Sequence, residues 1–219
     1  NIIVDITNYI MLETGQPLHA YDLSKIDSKI QVRRGHNNEK IILLDETIKK
    51  VNKTFLLITD NSKALGIAGI MGGQHSGISA DTENIVLESA YFNHKTIMGR
   101  SRILNLHTES GLRFERGVDP LIQKHALERA TQLINEYSDG QNGPISVKQD
   151  DESIPPKQPI MLRKKRIHQI LGITIANYKV YEILTKLDMR VVEQEYGYSG
   201  WLVTPPSFRF DINEECDLI

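Results

Sequence analysis

The chain predicts an α+β fold in two parts, a mixed-sheet domain over residues 1–150 and a small winged-helix-like α/β domain over residues 158–219. Three observations carry that expectation. Short β-like runs crowd residues 30–68, with segments of helical periodicity on either side. A polar stretch, SVKQDDESIPPKQP, carries three prolines and three consecutive acidic residues and sets the domain boundary around residues 150–159. Beyond it the order strand, helix, helix, two strands is that of a winged-helix-like module.

In chain order, Ile2, Ile3, Ile6, Tyr9, Ile10 and Leu12 follow a helical spacing, and Gly15 supplies a C-terminal stop. GQPLHAYDL then reads as a loop presenting His19, because Gly, Pro and a polar ring interrupt the periodicity. IQVRR, IILLD, FLLITD and ALGIAG read as strands separated by HNNEK, ETIKKVNK and NSK. IVLES is a further short apolar strand, and residues 93–106 are a mixed basic and apolar helix. HTESGLRFERGVDP is polar and turn-rich. Asp119 and Pro120 then start a helix carrying Ile122, Ala126, Ala130, Leu133, Ile134 and Tyr137 on one face. After the boundary come strand IMLR, helix KRIHQILG, a second helix through Val180, Ile183, Leu184 and Leu187, and strands MRVVEQ and WLVTP.

Composition bounds the function classes. The 26 basic and 28 acidic side chains leave a net charge of -2, so no whole-molecule field draws the chain to polyanions. Cys216 is the single cysteine, which excludes an internal disulfide and fits a reducing, cytoplasmic setting. No apolar run reaches the ~18 residues of a membrane span, and the opening residues lack the basic and apolar regions of a signal peptide. It begins at Asn1 and stops at Ile219 after ECDLI, and both ends read as cut from a longer polypeptide. The glycines of GIAGIMGG match neither G-x-G-x-x-G nor a phosphate loop, H-E-x-x-H and C-x-x-C are absent, and GQHSG has its serine one place too late for a nucleophile elbow.

What stands out is residues 66–90, where Gly66, Gly69, Gly72, Gly73 and Gly77 sit among Ile67, Ile70 and Met71 and let a ligand approach the main chain. Glu88 follows within the apolar run IVLES, where a buried strand carries no acid without a partner. Thr7, Asn8, His19, Thr108 and Ser110 complete the polar candidates. Each alone is more often a cap, a satisfied core group or a solvated side chain, so their convergence decides the matter. The basic run RKKR at residues 163–166 is ordinarily a solvated helix face, with phosphate contact as its functional alternative.

The succession VDITNYIMLETGQPLHAYDL, ITDNSKALGIAGIMGGQHSG, IVLESAYFN, HTESGLRFERGVDP and WLVTPPSFRFDI with CDLI resembles the beta subunit of bacterial-type phenylalanyl-tRNA synthetase over essentially the whole chain. The resemblance implies that residues 1–150 are most of the editing domain, the fused third and fourth beta-subunit domains, and that residues 158–219 are the fifth, each truncated at its outer end. In the family this pocket hydrolyses tyrosine misacylated onto the phenylalanine tRNA. Carried over, its catalytic residues are His19 in QPLHA and Thr108 in HTES. Its substrate-binding residues are Thr7 and Asn8 in DITN, Gly72 in IMGG, Glu88 in VLES and Ser110 in HTES, the last at a position where the family has alanine or serine.

Asp211 and Asp217 match the first two magnesium ligands of the family's fifth domain, in a site left incomplete because acidic residues are expected beyond Ile219. The resemblance implies no cofactor for this stretch. Magnesium and ATP serve the parent heterotetramer, whose alpha subunit carries aminoacylation, and phenylalanine tRNA and that alpha subunit are the implied partners. Two alternatives remain open: a tRNA-contacting or subunit-assembly module without chemistry, and a nucleic-acid reader built on the winged-helix-like part.

Overall fold

The computed structural model describes residues 1–149, 154, 157–194 and 199–219, so the boundary expected around residues 150–159 lies largely outside the described residues. Two compact units are present, Asn1–Val147 and Lys148–Ile219.

The first unit opens with α1 (Ile2–Thr14), capped by the Asn1 side chain on the Ile3 amide and closed by Gly15 in the left-handed region at φ 77°. Next comes β1 (Leu18–Asp22), where the sequence predicts a loop. Gly15 and Pro17 are the turn, and the five residues after them alternate faces because an antiparallel partner distant in sequence pairs with them. Strands β2 (Gln31–Arg34), β3 (Glu39–Ile42), β4 (Ile48–Val51), β5 (Leu56–Thr59), β6 (Ala64–Ile67), β7 (Met71–Gly72) and β8 (Ile85–Ser89) follow. β3 and β4 form a hairpin, β3 running from the end of the expected connection HNNEK into IILLD and β4 lying inside ETIKKVNK, expected as a connection. β4 escaped detection because two of its four residues are lysines and only Val51 is buried.

The helix expected over residues 93–106 is two short ones, α2 (His94–Ile97) and α3 (Arg100–Ile103), broken where Gly99 takes φ 74°. HTESGLRFERGVDP, expected as turns, holds α4 (Glu109–Arg116) with Thr108 as its N-cap. Gly111 lies inside this helix, where a Cβ would stand 2.8 Å from the Ser101 and Thr108 hydroxyl oxygens. α5 (Gln123–Tyr137) starts four residues after Asp119, whose carboxylate accepts from the Leu121 amide in the preceding turn.

Three sheet pieces result, with strand orders β2-β5-β6-β7, β3-β4 and β1-β8, all antiparallel. The sheet core holds Leu43, Leu57, Leu65 and Ile67 together with Phe92 and Phe114, whose rings meet edge to face at 5.1 Å. A separate cluster of Ile6, Ile10, Ala126 and Ala130 joins α1 to α5, with Leu18 of β1 and Leu87 of β8 packed against it. The two alanines let the helices approach closely, and each fully buried isoleucine contributes roughly 1.5–3 kcal/mol. The β1-β8 ribbon therefore gives one face to the helices and the other to the sheet core.

The second unit contains β9 (Ile160–Arg163), α6 (Lys164–Leu171), α7 (Asn177–Lys186), β10 (Arg190–Gln194) and β11 (Gly200–Thr204), with sheet order β10-β11-β9. Trp201, Leu162, Ile167, Val180 and Leu184 fill its core, giving the helix, helix, hairpin order expected.

Candidate active site

β1 and β8 pair so that His19 lies opposite Glu88, and Ala20 opposite Leu87. Side chains alternate along a strand, so His19, Tyr21 and Glu88 share one face while Leu87 turns to the helices. Tyr21 is diagonal to Glu88 and donates its hydroxyl to Glu88 Oε2 at 2.5 Å, and its ring stands edge-on to His19 at 4.4 Å. The partner that an acid on this apolar strand requires is therefore a phenol. Glu88 Oε1 accepts no hydrogen bond among the described residues.

Gly72 of β7 closes the site from the other side. A Cβ there would stand 2.3 Å from His19 Cε1 and 2.6 Å from Nε2, so any side chain would displace the imidazole. Its backbone is held by the bridge of Leu43 to Gly73 and by the Leu44 amide donating to the Gly72 carbonyl at 3.0 Å. Between them lies a cavity of about 200 Å³, lined by His19, Tyr21, Glu88, Gly72, Ser110 and Phe114 among others. For scale, a cavity of about 150 Å³ admits benzene, so this one holds a single aromatic side chain.

The electrostatics follow from enclosure. Burial pulls the His19 imidazole down to about 4, so the ring is neutral at pH 7. Its Nε2 is enclosed and makes no hydrogen bond among the described residues. Burial pushes the Glu88 carboxyl up from its ordinary value, and the Tyr21 hydrogen bond works against that rise. Glu88 is among the residues that line the cavity. The Tyr21 phenol is held far above its usual range by burial and by the Glu88 charge beside it, so it remains a donor at any working pH.

The other candidates divide. Ser110 lines the cavity from α4, with its hydroxyl 3.5 Å from the Gly69 carbonyl. Thr108 does not line it: its hydroxyl donates to the Ile70 carbonyl at 2.8 Å and accepts from the Gly111 amide at 2.9 Å, tying the start of α4 to the glycine segment. Thr7 is buried on α1 and donates to the Val4 carbonyl at 2.9 Å, and Asn8 is exposed; neither lines the cavity. Tyr21 and Phe114 were missed. Tyr21 stands two residues after His19, a spacing that puts both on one face of a strand, and the loop reading hid it. Thr108→Ala removes a helix cap and is expected to cost about 1 kcal/mol, lowering the unfolding temperature by roughly 2–4 °C. Calorimetric melting checks this, and an unchanged midpoint would remove the capping role.

In the second unit, both Asp211 oxygens accept from Arg209, at 2.9 and 2.8 Å. Asp217 Oδ2 accepts from the Asn213 and Glu214 amides, at 2.9 Å each. One carboxylate is neutralised by a guanidinium and the other caps a turn, a donor set that does not fit a cation wanting six oxygens. No group of three or more His, Cys, Asp or Glu able to hold a metal occurs among the described residues. Within the RKKR run, Arg163 pairs with Glu215 and Lys164 with Glu193, so half of that charge is already committed. No helix among the described residues is long and apolar enough to cross a membrane.

Comparison with known proteins agrees with the sequence resemblance. Residues 1–139 match the B3/4 domain model and residues 160–219 the tRNA synthetase B5 domain model. The phenylalanine-tRNA ligase beta subunit of Nitrosococcus oceani is 49% identical over 100% of this chain and 27% of its own length. That of Aliivibrio fischeri is 48% identical over 99% of this chain, again 27% of its own length. A solved N-terminal fragment of the phenylalanyl-tRNA synthetase beta-subunit from Pyrococcus horikoshii covers 99% of this chain and 62% of its own, at 14% identity and a TM-score of 0.42, a distant likeness only. The chain thus spans about a quarter of the length of the curated relatives it matches. With a B3/4 domain over its first 139 residues and a B5 domain after it, the chain belongs to the phenylalanine-tRNA ligase beta subunit family.

Proposed function

We propose that the first unit is the editing site of a phenylalanine-tRNA ligase, hydrolysing the ester that joins wrongly selected tyrosine to the phenylalanine tRNA. One observation carries the reading: a ring-sized cavity is lined by a neutral imidazole and by a carboxylate of which one oxygen accepts no hydrogen bond among the described residues. An apolar synthetic pocket rejects an added hydroxyl by only about a hundredfold, so a second pocket that requires that hydroxyl is worth having. Here Glu88 Oε1 accepts the tyrosyl hydroxyl, a bond that phenylalanine cannot make. The phenylalanyl ester would leave that buried oxygen unpaired, which disfavours its binding.

His19 acts at the ester end. A neutral ring with an unpartnered Nε2 binds the attacking water or the terminal ribose hydroxyl and fixes it beside the carbonyl. Water adds to the carbonyl, the bond to the ribose oxygen breaks, and tyrosine and free tRNA leave. Gly72 lets the ester approach the backbone, and Thr108 holds α4 so that Ser110 and Phe114 wall the ring. Phenylalanine tRNA and an alpha subunit are the partners of this reading, ATP and magnesium belong to aminoacylation elsewhere in the complex, and the setting is the cytoplasm.

The test is deacylation by the assembled two-subunit enzyme. Tyrosyl-tRNA is expected to be hydrolysed at least about a hundredfold faster, as kcat/KM, than phenylalanyl-tRNA. Equal rates for the two esters, or none for either, would remove the editing reading and leave a tRNA-contacting or assembly module.

A further inference from the structure

We propose that Tyr21 is a positioning residue for specificity: by engaging Oε2 of Glu88 it fixes the carboxylate so that Oε1 alone faces the substrate hydroxyl. The inference rests on the editing reading and deepens it. Tyr21 is only 1% exposed, its main chain is pinned by a bridge to Gly77, and its ring is set edge-on against His19. Its hydroxyl reaches Oε2 at 2.5 Å across the diagonal of the β1-β8 pair. A glutamate has three side-chain torsions, so without that bond its carboxylate would rotate within the cavity. One phenol thus occupies half of the acceptor, and the other half belongs to a side chain that lines the cavity.

The bond also sets which form of Glu88 is present. His19 and Tyr21, both from β1, are the titratable groups that share the cavity with Glu88; α4 contributes Ser110 and Phe114, and the glycine segment contributes Gly69 and Met71, none of which titrates. The Tyr21 hydrogen bond favours the ionised carboxylate against burial, so removing it raises the pH at which Glu88 takes up a proton. A protonated acid is a weaker acceptor for the tyrosyl hydroxyl, and the preference for tyrosine falls with it.

Tyr21→Phe keeps the buried ring and deletes only the hydroxyl. In the two-subunit enzyme it should lower kcat/KM for tyrosyl-tRNA about tenfold, mostly through KM, and change phenylalanyl-tRNA by less than about twofold. The pH below which tyrosyl preference is lost should move upward. In a Glu88→Gln background the same substitution should add nothing, because the two act as one unit. Equal losses on both esters, or an unmoved pH limb, would overturn the proposal. An independent readout is the carbon-13 titration of the Glu88 carboxyl in the two-subunit enzyme. Its midpoint should rise in Tyr21→Phe, and an unchanged midpoint overturns the positioning role whatever the wild-type enzyme hydrolyses. A raised midpoint beside a wild-type enzyme inert toward tyrosyl-tRNA upholds the hold on Glu88 and removes the editing reading alone.

Discussion

Gly72→Ala in the two-subunit enzyme is expected to lower tyrosyl-tRNA hydrolysis about a hundredfold or more while leaving the protein folded. A Cβ at this position would sit 2.3 Å from His19 Cε1, well inside an ordinary contact, so the ring must retreat by about 1 Å. Misplacement of that size at a reacting group costs about two orders of magnitude in rate. Gly72 is not among the glycines at positive φ, so alanine brings no backbone strain of its own. Its melting temperature should therefore stay close to that of the wild type. Hydrolysis at the wild-type rate would show that the imidazole does not need its present position.

His19→Ala gives the other large effect, and its pattern differs from that of a specificity residue. The imidazole lines the cavity, its enclosed Nε2 makes no hydrogen bond among the described residues and the ring is neutral at pH 7, suited to holding water or a ribose hydroxyl rather than to selecting a side chain. Its removal should slow hydrolysis of tyrosyl and phenylalanyl esters alike, by about 10²–10³-fold, with their ratio unchanged. A loss confined to the tyrosyl ester, measured by kcat/KM for each, would move His19 from the chemistry to recognition.

Much of this was legible in the sequence, and the misses fall where a distant partner or the exact start of a helix decides the structure. The helical period of α1, the Gly15 stop and the helix, helix, hairpin order of the second unit are written in short-range patterns. β1 is not, because a strand that begins just after Gly15 and Pro17 is made a strand by β8, some sixty-five residues further on. That miss concealed Tyr21, since the relation of His19 to Tyr21 appears only at a strand's period of two. The carboxylate of Glu88 on an apolar run did announce a partner, though not its identity. The motif alone puts both Thr108 and Ser110 in the pocket, and they part: the threonine is spent on capping α4 and on Ile70, whereas the serine reaches the cavity wall. Two residues apart on a helix start, they point in different directions, and only the start of α4 decides which faces inward.

The central claim is that Glu88 selects tyrosine by its hydroxyl, and the ratio of kcat/KM for tyrosyl-tRNA to that for phenylalanyl-tRNA, in wild type and in Glu88→Ala, tests it most directly. A hydrogen bond to a charged acceptor is worth about 1.5–3 kcal/mol, so the ratio should fall by about 10–100-fold in the variant, with phenylalanyl-tRNA hydrolysed no more slowly than before. A Glu88→Ala enzyme that keeps the wild-type ratio would contradict the account.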